Sequence, residues 1–90
     1  MKMQVRFNKT DVGEVSASLV LDRGSDDPAV ISVDGMARSF TPGQRIEITR
    51  QFGRHAGKDA GDWAETAVAD IKHQIDEYRT TIPPDYSLEY

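Results

Sequence analysis

Ala29-Val30-Ile31-Ser32-Val33-Asp34-Gly35-Met36-Ala37-Arg38-Ser39-Phe40 holds the clearest structural signal in the chain. Two β-type runs flank Asp34-Gly35, and Asp-Gly is a preferred pair for the two-residue type I′ turn, whose central residues both need positive φ. The turn predicts a hairpin pairing Val33 with Met36, Ile31 with Arg38 and Ala29 with Phe40. Ile31, Val33, Met36 and Phe40 then share the core face, while Val30, Ser32, Ala37 and Ser39 take the other. Arg38 also falls on the apolar face. It is expected to snorkel at the sheet end, or to pair with Asp70 or Glu77 of a covering helix. An exposed Arg38 would mean that this register is wrong.

Outward from the hairpin the period of two continues. Thr41-Pro42-Gly43-Gln44 carries Pro and Gly where a type II turn wants them. Arg45–Phe52 follows as a strand with Ile46, Ile48 and Phe52 on one face. Phe40 and Ile46 share the core face only across a loop of odd length, so three or five residues with a bulge are expected. Toward the N-terminus, Met3, Val5 and Phe7 alternate with Lys2, Gln4, Arg6 and Asn8, the pattern of a half-buried strand. Lys9–Gly13 reads as a turn. Val15, Ala17, Leu19 and Leu21 then line one face of a second strand, with Ser16, Ser18 and Val20 opposite. Asp22–Pro28 is a polar loop. Ser16, Ser18, Ser32, Ser39 and Thr49 compose a polar face that an antiparallel sheet can leave to water.

The character changes after Phe52. Gly53, Gly57 and Gly61 predict a Gly-rich loop over residues 53–61. Asp62 is placed to cap a helix over 62–82, with Glu65 completing a capping-box pair. Ala64, Ala67, Val68, Ile71, Ile75, Tyr78 and Ile82 form one apolar stripe at spacings of three and four, with Trp63 beside its start. Pro83-Pro84 stops the helix. The tail, 83–90, alternates through Tyr86, Leu88 and Tyr90, as an edge strand of the protein's own sheet or as an aromatic contact segment would. The predicted fold is α+β: an antiparallel β-meander of four to five strands over residues 1–52, packed on one face by a single C-terminal helix, in one domain spanning 1–90.

Ninety residues with a net charge of −4 and no cysteine bound the function from outside. Disulfides, thiolate metal sites and a Cys nucleophile are excluded. Met1–Thr10 has no apolar signal core and no run approaches the roughly 20 residues of a membrane span, so a cytoplasmic protein without membrane contact is expected. Charge is segregated. Residues 1–58 hold nine basic and seven acidic side chains, whereas residues 59–90 hold two basic and eight acidic. The helix half therefore presents an acidic surface suited to a partner with a basic one. The basic excess of the sheet half is small and lacks interleaved aromatics, which argues against direct nucleic-acid binding.

No sequence motif carries catalysis. Gly53-Arg54-His55-Ala56-Gly57-Lys58-Asp59 has one residue too few between its glycines for a phosphate loop, and an Asp where the metal-binding hydroxyl belongs. Arg54, His55 and Lys58 remain as a weak anion-binding set near a helix N-terminus. Asp70, His73 and Glu77 share a helix face at i, i+3, i+7, which reads as a solvated face rather than a metal site. No enzyme activity, cofactor or metal is expected. The expected function is a small protein-binding domain that occludes a larger partner, with Asp70, His73, Asp76, Glu77, Tyr86 and Tyr90 at the contact. The alternatives are a structural subunit that homo-oligomerises, as a homodimer or within a virion, and a small-ligand domain built on the 53–58 loop. In architecture, not in any residue string, an acidic sheet-plus-helix mini-domain resembles many phage-encoded inhibitors, anti-CRISPR proteins among them. That resemblance implies action by surface occlusion.

Overall fold

The computed structural model describes residues 1–81. Its elements in chain order are β1 (Lys2–Lys9), β2 (Glu14–Asp22), β3 (Val30–Val33), β4 (Met36–Ser39), β5 (Arg45–Arg54) and α1 (Gly57–Thr81). The class is α+β, with antiparallel strands packed by a single C-terminal helix. The predicted tail and its residues Tyr86, Leu88 and Tyr90 lie outside the described residues, as do Ile82, Pro83 and Pro84.

Asp34 (φ 53°) and Gly35 (φ 75°) both take the left-handed conformation, and β3 pairs with β4 in the predicted register, Val33 opposite Met36 and Ile31 opposite Arg38. The hairpin closes with the Phe40 N–H donating to the Ala29 carbonyl at 3.0 Å. Arg38 is nevertheless exposed, so exposure and register are not in conflict. The reason is that α1 packs against β3 and makes no contact with β4. Ile31 and Val33 are buried, whereas Met36 on the same face is 58% exposed. Among the described residues Arg38 forms no ion pair with Asp70 or Glu77.

The strands divide into two sheets, β1-β2-β5 and β3-β4. β5 returns to pair with β2, Leu21 opposite Ile46 and Leu19 opposite Ile48, so the odd-loop rule for Phe40 and Ile46 does not apply. Two backbone hydrogen bonds carry this ladder beyond Asp22: Arg23 N–H to the Gln44 carbonyl (3.0 Å) and Gly43 N–H to the Arg23 carbonyl (2.8 Å). The type II turn is present, with Gly43 at φ 79° and the Gln44 N–H donating to the Thr41 carbonyl. The expected bulge occurs instead at the far end of the β2–β5 ladder, between Glu14 and Ser16. Ser32 and Ser39 consequently belong to the separate hairpin. The open face of the main sheet keeps Ser18 and Thr49, whose hydroxyls lie 2.9 Å apart.

β2 is the central strand, and Ala17, Leu19 and Leu21 are completely buried on its helix face. They join Ile31, Val33, Phe40, Ile48, Trp63, Ala64, Ala67, Ile71 and Ile75 in one apolar cluster. Each fully buried Leu or Ile contributes roughly 1.5–3 kcal/mol. Val20, on the opposite face, is also buried, at 3% exposure; its neighbours across the two ladders are Gln4 and Glu47.

The helix begins at Gly57, not Asp62, and its first turn is closed by the Ala60 N–H donating to the Ala56 carbonyl at 3.0 Å. Asp62 is therefore an exposed residue inside the helix, and the predicted loop shrinks to His55 and Ala56 between β5 and α1. Gly57 and Gly61 are poor helix formers. Burial of Ala60, Trp63 and Ala64 against the sheet outweighs that local preference.

The remaining connection is organised around Asp27, a buried carboxylate 2% exposed. Its Oδ2 accepts from the Met1 α-ammonium at 2.6 Å and from the Gly24 N–H at 2.8 Å, and Arg79 stands 3.7 Å from Oδ1. Burial alone would raise its pKa. The hydrogen bonds from Met1 and Gly24 and the charges of Met1 and Arg79 together prevail and hold it below the ordinary value. Arg23 completes the knot, donating to the Asp27 and Phe40 carbonyls and stacking over the Phe40 ring.

Candidate functional site

Two surfaces stand out, both created by where α1 crosses the main sheet. Its buried side lies chiefly over β2 and β3, and it meets the two outer strands, β5 and β1, less. The opposite side of α1 is a carboxylate face. Asp59, Asp62, Glu65, Asp70 and Asp76 are exposed around it, with Lys58, Lys72 and Arg79 between them, and none of the five acids forms an ion pair among the described residues. Glu77 is the exception, with its Oε1 3.0 Å from His73 Nε2. Sequence reasoning thus placed Asp70, His73, Asp76 and Glu77 correctly on exposed helix surface. Tyr86 and Tyr90, the other expected contacts, lie outside the described residues.

The second surface is a groove between β1 and α1. Two adjoining hollows of about 610 Å³ and 450 Å³ share Phe7 and Gly61. Val5, Ala64 and Val68 line the apolar stretch; Lys9 and His55 line one end and Lys72 the other, with Glu65 also present. Phe7 was expected to be half-buried like Met3 and Val5. It is 57% exposed; the helix residues beside it are Gly57, Gly61 and Ala64, which carry too little side chain to cover the ring. The basic character of β1 (Lys2, Arg6, Lys9 and no acid) was visible in the sequence, but its position at the sheet edge was not.

Arg54, His55 and Lys58 are all exposed and share no hydrogen bond or ion pair among the described residues. His55 serves the turn: it takes φ 57° and donates its backbone N–H to the Gly13 carbonyl at 3.0 Å. Its ring lies against Gly13, so that a Cβ there would sit 3.3 Å from the imidazole. The structure therefore gives His55 a place in the turn beside Gly13 and leaves Arg54 and Lys58 exposed.

Among the described residues, no cluster of three or more His, Asp or Glu is placed to hold a metal ion. Among the described residues every buried side-chain nitrogen or oxygen has a hydrogen-bond partner. No described helix is long and apolar enough to cross a membrane. No family model, curated protein or solved structure matches the chain.

Proposed function

We propose that this chain is a protein-binding domain without catalytic activity, acting in the cytoplasm by covering a basic surface of a larger partner. The observation that supports the reading is the outer face of α1, where five exposed carboxylates carry no ion-pair partner among the described residues. A net negative helix surface speeds encounter with an oppositely charged one, and the effect is weakened by salt. The scaffold suits such a role because the buried stripe fixes the outer face in register. Occlusion of a partner is how a phage-type inhibitor, an anti-CRISPR protein included, would use such a domain.

Affinity capture from the source cell, read by mass spectrometry, tests the proposal. Wild type should retain a basic partner that the Asp76→Lys/Glu77→Lys variant loses, and the wild-type capture should fall as salt rises. Capture that is indifferent to both changes refutes it.

A further inference from the structure

The fold treats its strand edges unequally. On the hairpin, Ser32 presents its backbone outward, and Gln74 of α1 closes that edge. The Ser32 N–H donates to Gln74 Oε1 at 2.8 Å, and Gln74 Nε2 donates to the Ser32 carbonyl at 2.8 Å. The amide side chain thus stands in for a neighbouring strand. Among the described residues β1 has no such cover. It pairs with β2 alone, and among the described residues no side chain hydrogen-bonds to its backbone. A free strand edge is a template for an added strand.

We infer that β1 and the groove beside it receive an extended, acidic segment of a partner protein as a fourth strand of the main sheet. The chemistry is set by the two faces of β1. Toward α1 it presents Val5 and Phe7 above the hollow lined by Ala64 and Val68, with Glu65 and Lys72 at its helix side, and Met3 packed on the core beyond. Toward the open face it presents Lys2 and Arg6, both exposed. Side chains of an added strand alternate between the same two faces. The matching segment is therefore apolar at every second residue, to fill the groove, and acidic at the residues between, to pair across the strands with Lys2 and Arg6. Lys9 closes one end of the groove with a further positive charge.

The same charges select against a second copy of this chain. Antiparallel pairing of β1 with β1 would set two basic rows against each other, which is destabilising. Of the helix carboxylates only Glu65 reaches the groove, where Lys72 also lies, and the inference stands whether or not the others bind.

The test titrates the full chain into a fluorescein-labelled synthetic peptide the length of β1 that alternates valine with glutamate. Two comparison peptides replace glutamate by lysine, or place prolines along the strand to delete ladder donors. Fluorescence anisotropy should show binding of the acidic peptide alone. Amide chemical shifts in a ¹H–¹⁵N spectrum should move within β1. Arg6→Glu should weaken binding about fivefold to tenfold, and Phe7→Ser about fivefold, each with an unchanged circular-dichroism spectrum. Asp70→Lys, on the other surface, should leave affinity within a factor of about two. No binding, equal binding of the lysine or proline peptide, or shifts confined to the outer face of α1 would each overturn the inference. So would a dimer in sedimentation that Phe7→Ser abolishes.

Discussion

Asp27→Asn puts the largest single electrostatic feature of the fold to the test. The substitution keeps the shape of the side chain and one carbonyl oxygen, so the Gly24 N–H can still find an acceptor. It removes the negative charge that faces the Met1 ammonium at 2.6 Å and Arg79 at 3.7 Å. Removing one member of a buried ion pair costs about 3–5 kcal/mol, because the remaining charge is left uncompensated. A domain of this length has a total stability of roughly 5–13 kcal/mol, so the variant should lose a large fraction of it. Urea unfolding at pH 7 measures the difference directly. The acid dependence supplies a second, independent signature. Since folding lowers the pKa of Asp27, its contribution is complete above the ordinary carboxylate value of 3.8 and disappears as pH falls below it through the depressed one. Wild type and variant should therefore differ most at neutral pH and converge in acid. A variant within about 1 kcal/mol of wild type at pH 7 would refute the account, as would a gap that persists undiminished well below the depressed pKa.

Two further outcomes follow from packing and backbone geometry. Gln74→Leu removes both bonds to Ser32 while keeping apolar bulk, and should cost about 1–3 kcal/mol; hydrogen exchange should accelerate selectively at the Ser32 amide. Gly61→Ala adds a methyl that meets nothing within 4 Å, and it should stabilise the helix by about 0.5–1 kcal/mol, read as a rise in thermal midpoint.

What could be read before the structure was known follows the range of the interactions involved. The Asp34-Gly35 turn is decided by two residues' φ preferences, so the hairpin and its register were legible residue by residue. The apolar stripe through Ala64, Ala67, Ile71 and Ile75 was legible for the same reason. The return of β5 to β2 was not, because it joins residues on either side of an inserted hairpin and depends on no local signal. The helix start was missed because Gly57 and Gly61 weigh against a helix locally, while the burial of Ala60 and Trp63 that overrides them is tertiary. Of the candidate sites, the acidic face was legible from charge and helical spacing together. The groove was not, since it exists only because α1 lies chiefly over β2 and β3 and leaves Phe7 uncovered. Arg54, His55 and Lys58 drew attention as neighbours in sequence, yet His55 is engaged with Gly13 of the β1–β2 turn.

The chain's single tryptophan stands at the junction of its two sheets. The Trp63 indole N–H donates to the Asp34 carboxylate at 2.9 Å to Oδ1 and 3.1 Å to Oδ2, and its ring lies 6.1 Å from that of Phe52, tilted by 58°. Arg50 spans the same corner, 3.6 Å from Asp34 and stacked over Phe52. The hairpin tip, the helix and β5 therefore meet at one chromophore. Its emission is a built-in gauge of whether the hairpin is docked, with no label required. Any event that lifts the β3–β4 hairpin from α1 changes the hydrogen bonding and solvation of the indole, and a stopped-flow trace at this residue times that event separately from unfolding of the main sheet.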